Sequence, residues 1–307
     1  LLRVRLSVAG DIGKKIDYKF QAELSSFKLL DAYVDFKPYE QFKVKAGQFK
    51  VPLSIENTDD TPKNMPLIDY SLAMQRLVAN SEKVGDTTLK ATGRATGLSL
   101  HGALAQGMLA YDLAVFNGTD VNTVDNNKSK DVFGRLTFKT SKDFALTAYY
   151  QWGEANLAKF FSEEQIKGEY GWNKNPEYVT MHRWGGGFNY DSKQGFARGE
   201  YIAGLTGSLV SEGVYVEAGK RFQLPKNAGM FWAGGMVDYY CRNCFDYVER
   251  NTKNANIDMR YSICLGYEPV KYFHIQLAYS LEHRIHYKFD NNRQFGNGIK
   301  LLATALF

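Results

Sequence analysis

The fold of this chain is decided by stretches such as Ile16-Asp17-Tyr18-Lys19-Phe20-Gln21-Ala22-Glu23-Leu24, in which apolar and polar side chains alternate. Successive side chains of a β-strand point to opposite faces of a sheet, so one face of this stretch is apolar and the other is charged. The same period of two recurs at 2–8, 42–46, 144–152 and 271–282. No stretch of comparable length has a helical period, and the sequence therefore predicts an all-β protein.

The composition agrees with long paired strands. The 307 residues include 20 Tyr, 20 Phe and 28 Gly but only 7 Pro, and proline would remove a donor from a strand ladder. The mean hydropathy is −0.37, and no run approaches the roughly 18 apolar residues of a membrane-spanning helix. A helical membrane protein is therefore excluded, whereas a membrane β-barrel is not, because its strands expose apolar residues only at alternate positions.

The net charge of +5 comes from 38 Lys and Arg against 33 Asp and Glu, and the excess is spread along the chain. It forms no basic stripe of the kind that a nucleic-acid-binding protein needs, so we expect no nucleic-acid partner. This balance is compatible with a pore that is lined by both signs and biased slightly towards anions.

The spacing between the predicted strands distinguishes a membrane barrel from a soluble sandwich. Short connections alternate with connections that are mostly long, at 51–87, 118–130, 154–180, 241–256 and 284–293. Short turns on one rim and long loops on the other are typical of outer-membrane barrels. The strands are predicted near 2–10, 16–24, 28–37, 41–50, 88–104, 108–117, 131–140, 144–153, 181–191, 195–204, 212–223, 228–240, 257–268, 271–283 and 294–307.

Residues 1–307 are therefore predicted to form a single transmembrane antiparallel up-and-down β-barrel in the bacterial outer membrane. Bacterial single-chain barrels have even strand numbers, and this prediction contains fifteen strands. We expect about sixteen strands, with the first one missing before Leu1 or another hidden within 51–87. The last predicted strand alternates from Ile299 to a terminal Phe307, which is a common feature of outer-membrane barrels.

Several motifs resemble the phosphate-selective porin O and P family of outer-membrane porins. They are Arg3-Val4-Arg5-Leu6, Asp31-Ala32-Tyr33-Val34-Asp35-Phe36, Lys45-Ala46-Gly47-Gln48-Phe49-Lys50-Val51-Pro52-Leu53-Ser54-Ile55-Glu56 and Tyr111-Asp112-Leu113-Ala114-Val115-Phe116-Asn117-Gly118. The resemblance covers the order of strands over most of the chain, with specific motifs only in 1–120. It implies a usually trimeric channel of about sixteen strands that passes anions along inward-facing arginines and lysines. The family's arginine ladder and lysine cluster have no residue-by-residue match here.

Basic residues on the polar phase of the predicted strands are the candidates for the pore lining. A Lys or Arg that faces lipid at mid-depth costs about 2–4 kcal/mol, so these side chains should point into the lumen. Rings of Arg and Lys make a pore prefer anions. The candidates are Arg3, Arg5, Lys19, Lys43, Lys45, Arg135, Lys139, Arg183, Arg198, Arg221 and Arg260.

An alternative is that acidic residues neutralise these side chains across neighbouring strands. Such paired walls would leave only a weakly selective pore. The acidic residues in question are Asp17, Glu23, Asp31, Asp35, Glu200, Glu217 and Asp258.

The segment 51–87 is long enough to fold into the lumen. A barrel of this size needs something to narrow its interior, and a loop folded inward would do so while packing its apolar residues on the wall. The alternative is an external surface loop. Full exposure is disfavoured by the apolar residues Met65, Leu67, Ile68, Tyr70, Leu72 and Met74.

The pair Cys241 and Cys244 resembles half of a redox or metal site. A zinc site needs four ligands, and the sequence offers no second pair with suitable spacing, so no metal or other cofactor is expected. We expect a local disulfide between these two residues in an outer loop, with reduced thiols as the alternative. Cys264 lies within a predicted strand and is expected to be an inert small residue.

The sequence thus predicts an outer-membrane porin for the passive diffusion of small hydrophilic solutes, with a mild preference for phosphate-like anions. The expected partners are membrane lipid, small anions or other small solutes, and further copies of the chain in a homotrimer. The alternative is a non-conducting barrel that serves as a structural or docking component of an envelope complex. An enzyme is not expected, because no catalytic set of side chains can be assembled.

The disulfide prediction can be tested by mass. The outer loops of such a barrel face an oxidising environment, so Cys241 and Cys244 should be linked, although their close spacing keeps the gain in stability small. Intact-mass analysis after alkylation under denaturing, non-reducing conditions should show one modified thiol. Three modified thiols would contradict the pairing.

Overall fold

The computed structural model describes residues 4–60, 66–79, 83–84, 87–88, 93–118, 121–122, 129–156, 178–207, 209–225, 228–242, 256–286 and 292–305. The strands are β1 (Arg5–Ile12), β2 (Ile16–Glu23), β3 (Lys28–Tyr39), β4 (Phe42–Lys50), β5 (Lys83–Val84), β6 (Thr87–Thr88), β7 (Arg94–Leu104), β8 (Leu109–Phe116), β9 (Asp131–Lys139), β10 (Phe144–Asn156), β11 (Tyr178–Asp191), β12 (Gly195–Thr206), β13 (Leu209–Gln223), β14 (Met230–Arg242), β15 (Asn256–Val270), β16 (Phe273–His286) and β17 (Asn292–Ala305).

Fifteen of these strands form one antiparallel sheet in which neighbours in space are neighbours in the chain. The remaining two, β5 and β6, pair only with each other. The up-and-down fold predicted from the sequence is therefore confirmed, and every predicted strand is present. The fifth predicted strand was too long, because β7 begins at Arg94 and not at residue 88.

The loops sort to two rims as predicted. Seven connections on one rim are short, namely those at 13–15, 40–41, 105–108, 140–143, 192–194, 224–229 and 271–272. Most connections on the opposite rim are longer, and the longest joins β4 to β7 across residues 51–93. We call these the short-turn rim and the long-loop rim.

The outermost strands, β1 and β17, run in the same direction, because an odd number of strands separates the two edges of the sheet. Within the described residues, neither strand is hydrogen-bonded to the other. A sixteenth strand is not among the described residues, and it stays a prediction.

The two faces of the sheet differ sharply in exposure. On β9, Leu136 is 53% exposed, whereas Phe133 on the other phase is 3% exposed. The register keeps each phase together across strands, so that Lys45 lies opposite Ser99 and Asp112 lies opposite Arg135. One face is consequently an apolar surface without a protein covering, and the other, which we call the inner face, carries the charged residues.

The apolar face is banded in the manner of a membrane barrel. Aliphatic side chains such as Leu136, Val216 and Ile263 are exposed near the middle of their strands. Aromatic side chains are exposed towards the short-turn ends of the strands, where membrane–water interfaces favour their amphipathic rings. They include Phe42, Phe138, Tyr190, Phe222 and Tyr267, whereas Tyr150, Trp184 and Tyr201 are exposed at the middle of their strands.

Apart from a 3-10 turn over Ala105–Gly107 between β7 and β8, the helical structure of the described residues lies in the long connection between β4 and β7. It consists of α1 (Ile55–Asp59), α2 (Leu72–Met74) and a π-helical turn over Gln75–Ala79. In the part of the chain that the structure describes, no helix has the length and apolar character needed to cross a membrane.

The assignment of the two faces can be tested on β4, where Lys45 and Ala46 point in opposite directions. In a variant whose three native cysteines are replaced, Lys45→Cys should react with a water-soluble maleimide in intact cells. Ala46→Cys should react only with a lipid-soluble reagent, because lipid covers its face. Equal reaction of both with the water-soluble reagent would contradict the assignment.

Candidate pore and the segment that lines it

A long segment follows β4 and lies against the inner face of the sheet. We call residues 51–60 and 66–79 the inner segment. Its first residue is fixed at the long-loop rim, where the Val51 N–H donates to the Gly93 carbonyl at 2.9 Å. Its path is set by hydrogen bonds and ion pairs to strands that lie far away in the sequence.

Two residues of the β4 motif that precedes the inner segment, Gly47 and Gln48, have structural roles. Gly47 has a φ of +127°, and a Cβ there would lie 2.2 Å from the Ala32 carbonyl oxygen, so only glycine fits. The amide of Gln48 donates to the Leu29 and Leu30 carbonyls at 2.7 and 3.0 Å. These contacts fix the end of β4 against β3 and so define where the inner segment starts.

Glu200 on β12 receives the beginning of the segment. Its carboxylate accepts hydrogen bonds from the Ser54 hydroxyl at 3.0 Å and from the Ile55 N–H at 2.6 Å. The Tyr215 hydroxyl donates to the same carboxylate at 3.1 Å. Ser54 has a φ of +66°, which is rare for a residue with a side chain, and these bonds stabilise it.

Arg198 holds the end of α1 through a buried ion-pair cluster. Its guanidinium donates two hydrogen bonds to Asp60, both at 2.8 Å, and pairs with Glu217 at 2.6 Å. Glu56 lies 3.9 Å from the same guanidinium and accepts hydrogen bonds from the Ser71 hydroxyl and N–H. One fixed positive charge therefore draws three carboxylates together, and two of them belong to the inner segment.

Burial affects the protonation of the two segment carboxyls in this cluster. Removal from water raises the pKa of Glu56 well above its ordinary range and raises the pKa of Asp60, although Arg198 acts in the opposite sense on both. Both carboxyls therefore bind a proton more readily in the folded chain than in the unfolded chain.

Residues 66–69 are the part of the inner segment that lies nearest the short-turn rim. The indole N–H of Trp232 donates to the Pro66 carbonyl at 3.0 Å, and the Gln276 amide reaches the same oxygen at 3.4 Å. Asp69 pairs with Lys300 on β17 at 2.6 Å. These contacts place residues 66–69 across the inner face of β14 to β17.

The return path is held by a second buried pair. The Asp238 carboxylate accepts from the Leu72 N–H at 2.7 Å and pairs with Arg260 at 2.8 Å. Arg260 also donates to the Tyr70 carbonyl. Further along, Arg76 lies 3.5 Å from Asp258. Wall side chains thus compensate the backbone groups that the segment buries.

An apolar cluster attaches the two ends of the inner segment to the long-loop half of the wall. The ring of Phe116 packs against Phe49 in a tilted arrangement at 5.0 Å and against Phe133 edge to face at 5.2 Å. Together with Tyr149 they cover the apolar side chains of the segment, which explains why aromatic residues occur on the inner phase of these strands. The segment residues in this cluster are Val51, Leu53, Leu72, Ala73, Met74, Leu77 and Val78.

The inner face of β1 to β4 carries ion pairs whose basic side chains still reach water. Lys19 pairs with Asp31 at 2.7 Å, and Lys45 lies 3.7 Å from Asp35. The basic side chains of Arg5, Lys19, Lys43 and Lys45 keep 18–30% of their surface exposed.

The described basic candidates all lie on the inner phase, but they fall into two groups. Arg5, Lys19, Lys43, Lys45, Arg221 and Lys139 keep part of their side chains exposed. Arg183, Arg198 and Arg260 are only 3–5% exposed, so they hold structure in place and do not face water. Arg135 has features of both groups. Its side chain is partly exposed, and it also pairs with Asp59 of the inner segment at 3.3 Å. Arg3 lies outside the described residues.

Acidic side chains pair with several of the basic candidates, as in the alternative in which neighbouring strands neutralise the charge of the wall. Glu23 pairs with Arg5 at 3.1 Å and Asp31 with Lys19 at 2.7 Å, whereas Asp17 pairs with Lys37, which was not among the candidates. The anchoring roles of Glu56, Asp60 and Asp238 were not anticipated. Only Asp238 had a visible signal, because it is a carboxylate on the inner phase of a strand that otherwise places Trp232, Met236 and Tyr240 there.

The cysteines differ in state. Cys241 is disulfide-bonded, and Cys264 is a free, buried thiol. Cys244 lies outside the described residues, so its pairing with Cys241 stays a prediction.

Comparison with solved structures identifies the class of fold. OmpT of Vibrio cholerae aligns with a TM-score of 0.62 and 11% identity over 99% of this chain and 89% of that chain. The channel DcaP of Acinetobacter baumannii gives 0.59 and 15%, over 99% and 84%. The anion-selective porin from Comamonas acidovorans gives 0.56 and 12%, over 99% and 87%. The chain therefore has the β-barrel fold of these proteins.

Sequence comparison gives the family. The profile of the phosphate-selective porin O and P family matches residues 2–291, which is nearly the whole chain, and the chain belongs to this family. The resemblance seen in the motifs is thus confirmed. A search of curated proteins found no match.

The anchoring of the inner segment can be tested at Asp238. Asp238→Ala leaves Arg260 buried with one partner fewer and the Leu72 N–H without its acceptor, and loss of one partner of a buried pair costs about 3–5 kcal/mol. The barrel should still fold, but the segment should become sensitive to limited proteolysis, and single-channel currents should become noisier. The control is Glu212→Ala, which removes a carboxylate bonded to Tyr201 on the apolar face. Equal behaviour of the two variants would contradict the anchoring role.

Proposed function

We propose that this porin conducts small hydrophilic solutes by passive diffusion and has a mild preference for anions. The observation that carries the proposal is the polar inner face of β1 to β4, where ion-paired basic side chains remain accessible to water. A barrel without an aqueous path would have little reason to keep charge on this surface.

The inner segment provides the narrowing of the pore in this proposal. It lies against the inner face of β12 to β17, through Glu200, Asp238 and Lys300, and leaves the face of β1 to β3 as the opposite wall. Solutes would then pass between the segment and this wall. The ion pairs at both surfaces favour hydrated solutes over apolar ones.

The selectivity should be weak because most charges are paired. Arg5, Lys19, Lys43 and Lys45 each have a carboxylate within 4 Å, so the field near these side chains is that of dipoles more than of free charges. Lys28, Lys50 and Lys139 have no ion pair within the described residues and leave a small positive excess. Screening reduces even this excess, since the Debye length falls from about 10 Å at 0.1 M to about 3 Å at 1 M salt.

A homotrimer is the oligomeric state that we propose. It is supported by the small residues that the outward phase of β11 to β14 presents, such as Gly186, Ala197, Ala218 and Ala233, because small side chains let surfaces in a membrane approach closely. Native mass spectrometry in detergent would test it.

Conductance and reversal potential in a planar bilayer test the proposed function together. Wild-type protein should give steady openings and a reversal potential slightly on the anion side in a dilute salt gradient. Lys43→Glu combined with Lys45→Glu should shift the reversal potential towards cations, because it reverses two charges on the open wall.

The control for this experiment is Lys142→Glu combined with Lys193→Glu, which makes the same change of net charge in two turns of the short-turn rim. It should shift the reversal potential much less. Absence of any conductance would support the non-conducting alternative, whereas a wild-type reversal potential on the cation side would refute the anion preference alone.

A further inference from the structure

A cavity of about 300 Å³ lies between the inner segment and the wall formed by β11 to β16. Its volume is at the lower end of the range typical of small-molecule sites. It opens towards the short-turn rim, where the side chain of Asp191 is 60% exposed. Its polar lining consists of Asp59, Asp60, Asn189, Asp191, Arg198, Glu217, Arg221, Glu268 and His274.

The charges of this lining are unbalanced, with five carboxylates against two guanidiniums. Arg198 is shared between Asp60 and Glu217, so the carboxyls of this cluster outnumber its one guanidinium. Arg221 is already paired with Asp191. The cavity therefore differs from the wall of β1 to β4, where Arg5, Lys19, Lys43 and Lys45 each pair with a carboxylate.

Two side chains of the lining lack partners. The carboxylate of Glu268 makes no ion pair or hydrogen bond with any described residue, although it is partly shielded from water. His274 is 3% exposed, and its Nε2 has no hydrogen-bond partner in the described part of the chain. Buried polar atoms usually have a hydrogen-bond partner. Glu268 and His274 therefore mark a place where a ligand can supply the missing hydrogen bonds.

We propose that this cavity binds a small organic cation that carries an ammonium or guanidinium group. Such a group would donate to Glu268 and to the excess carboxylate of the Arg198 cluster, and it would be favoured further by the low dielectric of the surrounding wall. The described acidic and histidine side chains form no group of three that could hold a metal ion, which favours an extended organic ligand.

The site goes beyond the proposed anion preference of the porin. It lies on the short-turn side of the inner segment, so it would retain cationic solutes at the inner mouth without changing the charge of the wall along β1 to β4. Cations would therefore bind in the cavity, whereas anions would be attracted mainly by the electrostatic field of the wall of β1 to β4.

Binding can be measured without conduction. The folded full-length barrel in detergent would be titrated with agmatine, which carries an ammonium and a guanidinium, in isothermal titration calorimetry at low ionic strength. Saturable binding is expected for agmatine, and none for glutarate, an anion of similar length. Glu268→Gln should weaken agmatine binding about tenfold, which corresponds to about 1.4 kcal/mol.

The matched control is Asp143→Asn, because Asp143 lies in a turn of the same rim and its carboxylate also has no partner within the described residues. It should leave agmatine binding unchanged. Thermal unfolding by circular dichroism checks that both variants are folded. The proposal is overturned if the wild-type barrel shows no saturable binding, if glutarate binds equally well, or if both variants lose affinity to the same extent.

A bilayer experiment separates this site from the proposed function. Agmatine added on the short-turn side should shorten openings of the wild-type channel more than openings of Glu268→Gln. If the barrel binds agmatine in detergent but never conducts, the porin proposal fails and the site stands. If it conducts but the calorimetric titration is flat, the site fails and the porin proposal stands.

Discussion

The structure depends on the pairing of every strand with its neighbours in chain order. Inside the hydrocarbon layer no water can satisfy backbone N–H and C=O groups, so each must find a partner in the protein. An antiparallel ladder supplies those partners and at the same time fixes alternate side chains on opposite faces. Most charged side chains of the strands thereby lie on the inner face, and the ion pairs that anchor the inner segment follow from this separation.

The backbone groups of the inner segment find their hydrogen-bond partners in a different way. Its backbone is not paired in a ladder, and wall carboxylates therefore accept from its N–H groups, as Glu200 does for Ile55 and Asp238 does for Leu72. Replacing either carboxylate by an apolar side chain would leave a buried donor unsatisfied. The acidic residues of the wall are thus part of the scaffold, and they are distinct from the ion pairs on β1 to β4 that remain in contact with water.

The strands could be predicted because alternation is a local signal. Residues 16–24 show it without reference to any other part of the chain, and the loop lengths then indicated which strand ends share a rim. The path of the inner segment could not be predicted in this way. Ile55 and Glu200 are 145 residues apart and Leu72 and Asp238 are 166 apart, so nothing in the local sequence of either partner identifies the other.

The same limit applies to the candidate pore residues. Alternation placed Arg198 and Arg260 on the inner face, as it did Lys19 and Lys45, but it carries no information about what covers that face. Their burial depends on contacts with Asp60 and Tyr70 of the inner segment. These separations also have a consequence for biogenesis, since Asp69 meets Lys300 across 231 residues. The segment can therefore dock only after β12 to β17 are in place, which makes its docking a late step of folding.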